Sequence, residues 1–187
     1  MPVAAESLVE VPVPGDVTVS YADRILTVKG PKGTLTRTFS HPRLEMELTG
    51  GNIISRCSLP RKKEKALVGT WASHAQNMIT GVTEGFEYQM KIVYAHFPVK
   101  VTVDKKASIL SVSNFMGEKS DRKAKILEGV NVKVDGDQVI LTGINREHLG
   151  QSAANIERST RIRGFDSRVF QDGIYITKKA IHGDNNG

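Results

Sequence analysis

Hydrophobic and polar residues along this chain fall into short alternating runs that occur twice. V-T-V-S-Y at 17–21 and I-L-T-V-K at 25–29 read as two strands around a polar turn, with a glycine-containing loop after them. The same succession returns 84 positions later: Val17, Thr18, Val19, Ile25, Leu26, Val28 and Gly33 recur as Val101, Thr102, Val103, Ile109, Leu110, Val112 and Gly117. Further along, N-I-I-S at 52–55 matches Q-V-I-L at 138–141 as strands, and S-H-A-Q-N-M at 73–78 aligns with Q-S-A-A-N-I at 151–156 as helix. Chance is a poor explanation for so many matches in one register. The chain reads as two tandem copies of one strand-and-helix unit, residues 1–82 and 83–187, each the size of a small domain.

Local signals fill in the units. The first helix is expected to begin near Pro60, to bury a stripe through Leu67, Trp71, His74 or Ala75, and Met78, and to stop at Gly81. The second takes Asn145 as N-cap, turns Leu149, Ala153, Ile156 and Thr160 inward, and ends at Gly164. Phe86, Tyr88, Met90 and Ile92 alternate with Glu87, Gln89 and Lys91 as a half-buried strand. Asp172-Gly173, between Val169-Phe170 and Ile174-Tyr175-Ile176, reads as a hairpin turn in which Gly173 supplies a positive φ. The tail I-H-G-D-N-N-G at 181–187 is polar.

Charge changes the picture more than composition does. Net charge is +6 and the pI about 9.5, which fits an anionic partner, nucleic acid before an acidic membrane surface, or simply a well-solvated basic surface. The charge is clustered. Arg61, Lys62, Lys63 and Lys65 crowd the start of the first helix, where cations oppose the helix dipole. Arg158, Arg161 and Arg163 follow the second helix, where the dipole favours them, but Arg168, Lys178 and Lys179 continue the run beyond any dipole's reach. In the loop at 113–125, Lys119, Arg122, Lys123 and Lys125 can neutralise phosphates. In the same loop Gly117 permits close backbone approach and Asn114 can hydrogen-bond a backbone or base edge. Phe115 either stacks on a base or plugs the core beneath the loop, and the tendency of loop aromatics to bury favours the core.

Catalytic chemistry is hard to assemble. There is no Cys-x-x-Cys, no His-Glu-x-x-His and no phosphate-cradling glycine loop; the five histidines (41, 74, 96, 148, 182) lack metal-ligand spacing. Neither metal nor cofactor is expected. Cys57 is the single cysteine, so no internal disulfide forms, and nothing nearby activates it as a nucleophile. The N-terminus lacks the basic and apolar regions of a secretory signal, and no apolar run is long enough to span a bilayer, so no membrane partner is expected. A module that docks an acidic protein, and more remotely an enzyme, remain the alternatives to an RNA-binding protein.

The duplicated unit, N-F-M-G-E-K at 114–119, G-V-T-E-G-F-E-Y at 81–88 and R-V-F-Q-D-G-I-Y-I-T at 168–177 together resemble the large-subunit ribosomal protein number six family, in its archaeal and eukaryotic cytosolic form, over about residues 8 to 180. The resemblance implies an α+β protein of two tandem homologous domains, each a helix packed on small, mostly antiparallel sheets. It implies a non-catalytic constituent of the cytoplasmic large ribosomal subunit, neighbouring other large-subunit proteins. Its second domain would bind large-subunit ribosomal RNA near the sarcin–ricin loop and stalk base, close to where translational GTPases dock. Carried onto this chain, the matching positions are Asn114, Gly117 and Lys119 in the loop and Arg168, Asp172, Gly173 and Tyr175 in the expected hairpin. R-G-F-D-S-R at 163–168 departs from the Lys/Gly-rich segment of the bacterial branch, so bacterial contacts do not transfer residue by residue.

Overall fold

The computed structural model describes residues 6–95, 97–164, 166 and 168–181; the expected polar tail beyond Ile181 and the histidines at 96 and 182 lie outside the described residues. The chain divides into two compact units, Met1–Glu84 and Gly85–Gly187.

In the first unit, β1 (Glu6–Pro12), β6 (Asn52–Ser58) and β5 (Glu45–Thr49) form one antiparallel sheet in the order β1-β6-β5. Strands β2 (Thr18–Ala22), β3 (Ile25–Gly30) and β4 (Gly33–Thr38) form another in sequence order. Helix α1 (Lys62–Thr83) closes the core with Val68, Trp71, Ala75, Ile79 and Val82 against Leu26, Val28, Ile53 and Cys57. Trp71 meets Phe39 edge to face, with centroids 5.3 Å apart.

The limits of α1 differ from expectation at both ends. It starts two residues after Pro60, because Glu64 accepts the Arg61 N–H at 2.7 Å and makes Arg61 the N-cap. It runs through Gly81, which is buried within the helix, and stops before Gly85, whose φ of 77° is the left-handed conformation that ends helices.

The second unit repeats the plan. Strands β8 (Lys100–Asp104), β9 (Ile109–Ser113) and β10 (Arg122–Lys125) form one sheet; β7 (Phe86–Val93), β11 (Val130–Asp135), β12 (Gln138–Gly143) and β13 (Gly173–Ile181) form the other, ordered β11-β12-β7-β13. Helix α2 (Arg146–Ser159) buries Leu149, Ala153 and Ile156 against Met90, Leu110, Leu141 and Ile174. The strand pairs β6/β12, β5/β11 and β1/β7 occupy equivalent places, so the duplication legible in the sequence is a duplication of topology.

One strand breaks the symmetry. β13 is added beside β7 at the sheet edge and has no counterpart in the first unit among its described residues. The hairpin expected at Asp172-Gly173 is therefore corrected. Val169 and Phe170 lie in a turn whose N–H groups donate to the Asp166 carbonyl at 3.1 and 2.9 Å, and Gly173 begins a strand whose partner is β7, with Ile174 opposite Ile92. Gly173 has no positive φ. A side chain there would meet the Tyr175 ring, since a Cβ would lie 3.0 Å from its Cζ.

The N-cap of α2 stands as expected: the Asn145 carboxamide oxygen accepts the N–H groups of Glu147 and His148 at 3.0 and 3.3 Å. Asn145→Ala should cost about 1 kcal/mol of unfolding free energy, measured as a lower urea midpoint at unchanged slope. The helix ends at Ser159 with Thr160 as its cap, four residues before Gly164.

Candidate RNA-binding surface

The expected site residues divide into those the second unit exposes and those it uses internally. Arg158, Arg161, Arg163, Arg168, Lys119 and Lys123 are exposed. The side chains of Arg158, Arg161 and Arg163 have no hydrogen-bond or ion-pair partner among the described residues. They sit where α2 ends, so the dipole stabilises Arg158 and the cations beyond it need another explanation.

Arg122 was expected on the phosphate-facing surface, and the structure places it otherwise. Its Nε and Nη2 donate to the two Glu118 carboxylate oxygens at 2.8 and 2.5 Å, and its Nη1 donates to the carbonyls of Ser159 and Arg161 at 3.1 and 3.0 Å. The guanidinium carbon lies 4.4 Å from the centroid of the Phe115 ring, which is fully buried in the core. Four of its five N–H groups are thus used within the unit. The carboxylate holds the guanidinium protonated more firmly than usual, and Arg122 holds the Glu118 carboxyl below the ordinary carboxylate range. Arg122 is a tie between the glycine loop and the end of α2. The two basic regions that the sequence shows 40 residues apart, at Lys119 and Ser159, become one connected surface through it.

Asp172 is likewise internal. It is buried, and its carboxylate accepts the Ala95 N–H at 3.4 Å, so it fastens the start of β13 to the end of β7. Lys178 and Lys179 are both exposed because β13 pairs irregularly there, the register shifting on either side of Lys178. Lysines on a bulged edge strand also discourage pairing with another sheet, which gives these two a structural use beside any RNA contact.

In the loop, Asn114 and Gly117 both adopt left-handed backbone, and Met116 between them does too. Asn114 is not aimed outward: its Nδ2 donates to the Pro98 carbonyl at 3.1 Å. That bond brings the 97–98 segment over the loop, where the Phe97 ring covers Gly117 at a distance that would crowd any Cβ. Phe115 takes the core position, and the exposed aromatic at this loop is Phe97, 44% accessible. No local pattern marks Phe97 in the sequence, because its neighbour is 20 residues away.

The second aromatic is Tyr175, 43% accessible, on β13. Its hydroxyl donates to the Gln171 carbonyl at 3.1 Å, which holds the ring in place. Together with Arg158, Arg161, Ile162, Phe170 and Gln171 it lines an open groove of about 600 Å³ beside the end of α2. Among the described residues no group of three or more His, Cys, Asp or Glu could hold a metal ion, and no helix is long and apolar enough to cross a membrane. Cys57 is buried in the first unit's core.

Fold and surface define a class: a duplicated α+β protein in which one helix per unit packs on antiparallel sheets, and whose second unit presents a cationic, aromatic-bearing face. The family model of ribosomal protein L6 matches the chain twice, over residues 13–85 and 97–173, one match per unit. The chain is 52% identical over 177 residues to the large ribosomal subunit protein uL6 of Methanocella arvoryzae, covering 95% of this chain and 99% of that protein. It is 48% identical to the protein of the same name from Methanobrevibacter smithii, over 96% of this chain and 99% of the relative. With that of Desulfurococcus amylolyticus it shares 48% over 91% of this chain and 93% of the relative. The chain belongs to the ribosomal protein L6 family, whose members are structural ribosomal proteins and not enzymes.

Proposed function

We propose that this chain is a structural constituent of the large subunit of the cytoplasmic ribosome, and that its second unit binds large-subunit ribosomal RNA near the sarcin–ricin loop and stalk base, beside the docking region of translational GTPases. The observation that carries the RNA contact is the surface joined by Arg122: exposed Lys119, Lys123, Arg158, Arg161 and Arg163 with two fixed, accessible aromatics. Phosphates are neutralised by the arginines and lysines, and the hydrogen bonds of Asn114 and Arg122 tie the loop to the Pro98 carbonyl and to the end of α2. Asn114, Gly117, Asp172 and Gly173 act by shaping this surface, and Arg168, Lys178 and Lys179 extend it.

Hydroxyl-radical footprinting of large-subunit ribosomal RNA with the full chain tests the reading. Protection of one compact region that includes the sarcin–ricin loop is expected; diffuse protection that vanishes at moderate salt would reduce the basic face to nonspecific attraction. In filter binding, Arg168→Ala should weaken association severalfold, while Arg24→Ala, whose guanidinium in the first unit donates to the Ser40 hydroxyl, should leave it unchanged. Equal losses for the two would remove the second unit from its assigned role.

A further inference from the structure

The chain after α2 is folded back by one hydroxyl. The Thr160 Oγ1 accepts the Ile174 N–H at 3.0 Å in a buried position, which brings the start of β13 against the helix end. A groove of about 600 Å³ is lined from both sides of this bond, by residues of the helix end from Glu157 to Ile162 and by Phe170, Gln171 and Tyr175. A cavity of this size is in the range that takes a small ligand, and it is too small for a base-paired helix.

Its lining is chemically uneven. Arg158 and Arg161 line it with side chains unpartnered among the described residues; the Arg161 main chain is gripped by the Arg122 guanidinium through its carbonyl. The Tyr175 ring lines it too, packed on Gly173, its hydroxyl already engaged with the Gln171 carbonyl. An aromatic ring fixed at its polar end and still accessible offers a face for stacking at little entropic cost. Phe170 continues the apolar wall, and the Gln171 carboxamide supplies a donor and an acceptor. Glu157 also lines the groove, so the three charged side chains there sum to a single positive charge. That balance suits one phosphodiester, which carries one negative charge, better than a terminal phosphate carrying nearly two.

We propose that this groove receives a single unpaired ribonucleotide of the bound RNA, its base against the Tyr175 ring and its phosphodiester between Arg158 and Arg161. The inference rests on the RNA-binding reading and deepens it: unpaired nucleotides can be held by aromatic stacking, whereas double-stranded RNA is recognised mostly by its shape and by phosphate and 2′-hydroxyl contacts. The Gln171 carboxamide faces the base edge and gives the site what sequence preference it has.

The test has two arms on the full chain. In the first, adenylyl-adenosine, which has one phosphodiester, is titrated against protein with isotope-labelled tyrosine rings. The Tyr175 ring signals should move upfield and saturate while those of Tyr21, Tyr88 and Tyr94 stay still, and inorganic phosphate should not reproduce the shift. A Tyr175 ring unmoved by the dinucleotide, or moved equally by phosphate, overturns the proposal. In the second, Tyr175→Leu, with folding checked by its amide spectrum, should lower affinity for large-subunit ribosomal RNA about tenfold at every salt concentration, because stacking releases no counterions. Wild-type affinity in Tyr175→Leu would sink the nucleotide site and leave the RNA-binding reading standing. Failure of the wild-type chain to bind that RNA would sink the reading itself, while the dinucleotide titration still decides whether the groove takes a nucleotide.

Discussion

Arg122→Ala should unfold the second unit more readily, by about 2–3 kcal/mol. The substitution strips the Ser159 and Arg161 carbonyls of a charged donor, at about 1 kcal/mol each, and removes the cation from the Phe115 ring. The ion pair with Glu118 adds less, since that carboxylate is 37% accessible and its attraction is screened by water. Arg122→Lys should recover little, because one ammonium cannot reach both carbonyls and both carboxylate oxygens at once. The loss should depend on pH. Glu118 is held below the ordinary carboxylate range, chiefly by its hydrogen bond from Arg122, so its contribution is complete above that range and disappears as pH falls through the folded-state value. Urea unfolding at neutral pH and in acid should show the gap between wild type and Arg122→Ala narrowing in acid. A gap that is small at neutral pH would mean that the surface is held together by something else.

RNA binding has a different most sensitive point. Replacing Arg158 and Arg161 together by alanine should weaken ribosomal RNA binding by about tenfold to a hundredfold and flatten the dependence of log K on log salt by about 1.5–2 units, the amount set by two lost phosphate contacts. Stability should hardly change, because neither guanidinium is tied to the fold, apart from a few tenths of a kcal/mol for Arg158 at the helix end. Salt-dependent filter binding measures both the loss and the slope. Weaker binding at an unchanged slope would show that these arginines support the surface without touching phosphate. Arg122→Ala should also weaken binding, through displacement of Arg161 and the glycine loop, so the two variants separate support from contact.

Much of the fold was legible because duplication prints itself on the sequence. Seven identities at one offset located β2, β3, β8 and β9 before any geometry was known, and the alternation of Phe86, Tyr88, Met90 and Ile92 marked β7. Even so, the repeats are not superimposable residue by residue. Ala22 pairs with Ile25 across the two-residue turn Asp23-Arg24, whereas Asp104 pairs with Ile109, so Lys106, the equivalent of Ala22, lies in a longer turn. The shift is by two residues, which keeps the same faces inward and leaves the hydrophobic pattern undisturbed.

By itself, then, the sequence determined the two units, the inward faces of their helices, the Asn145 cap, the burial preferred for Phe115, and the clustering of basic residues in short stretches of each unit. These follow from periodicity and local chemistry, which act over a few residues. Tertiary structure alone decided that Gly173 opens an edge strand beside β7 and not a hairpin, because that pairing joins residues about 80 apart and leaves no local trace. It also decided that Arg122 faces inward. A guanidinium goes to whichever acceptors the fold brings within reach, and beside the Glu118 carboxylate those acceptors were carbonyls 37 and 39 residues further along the chain.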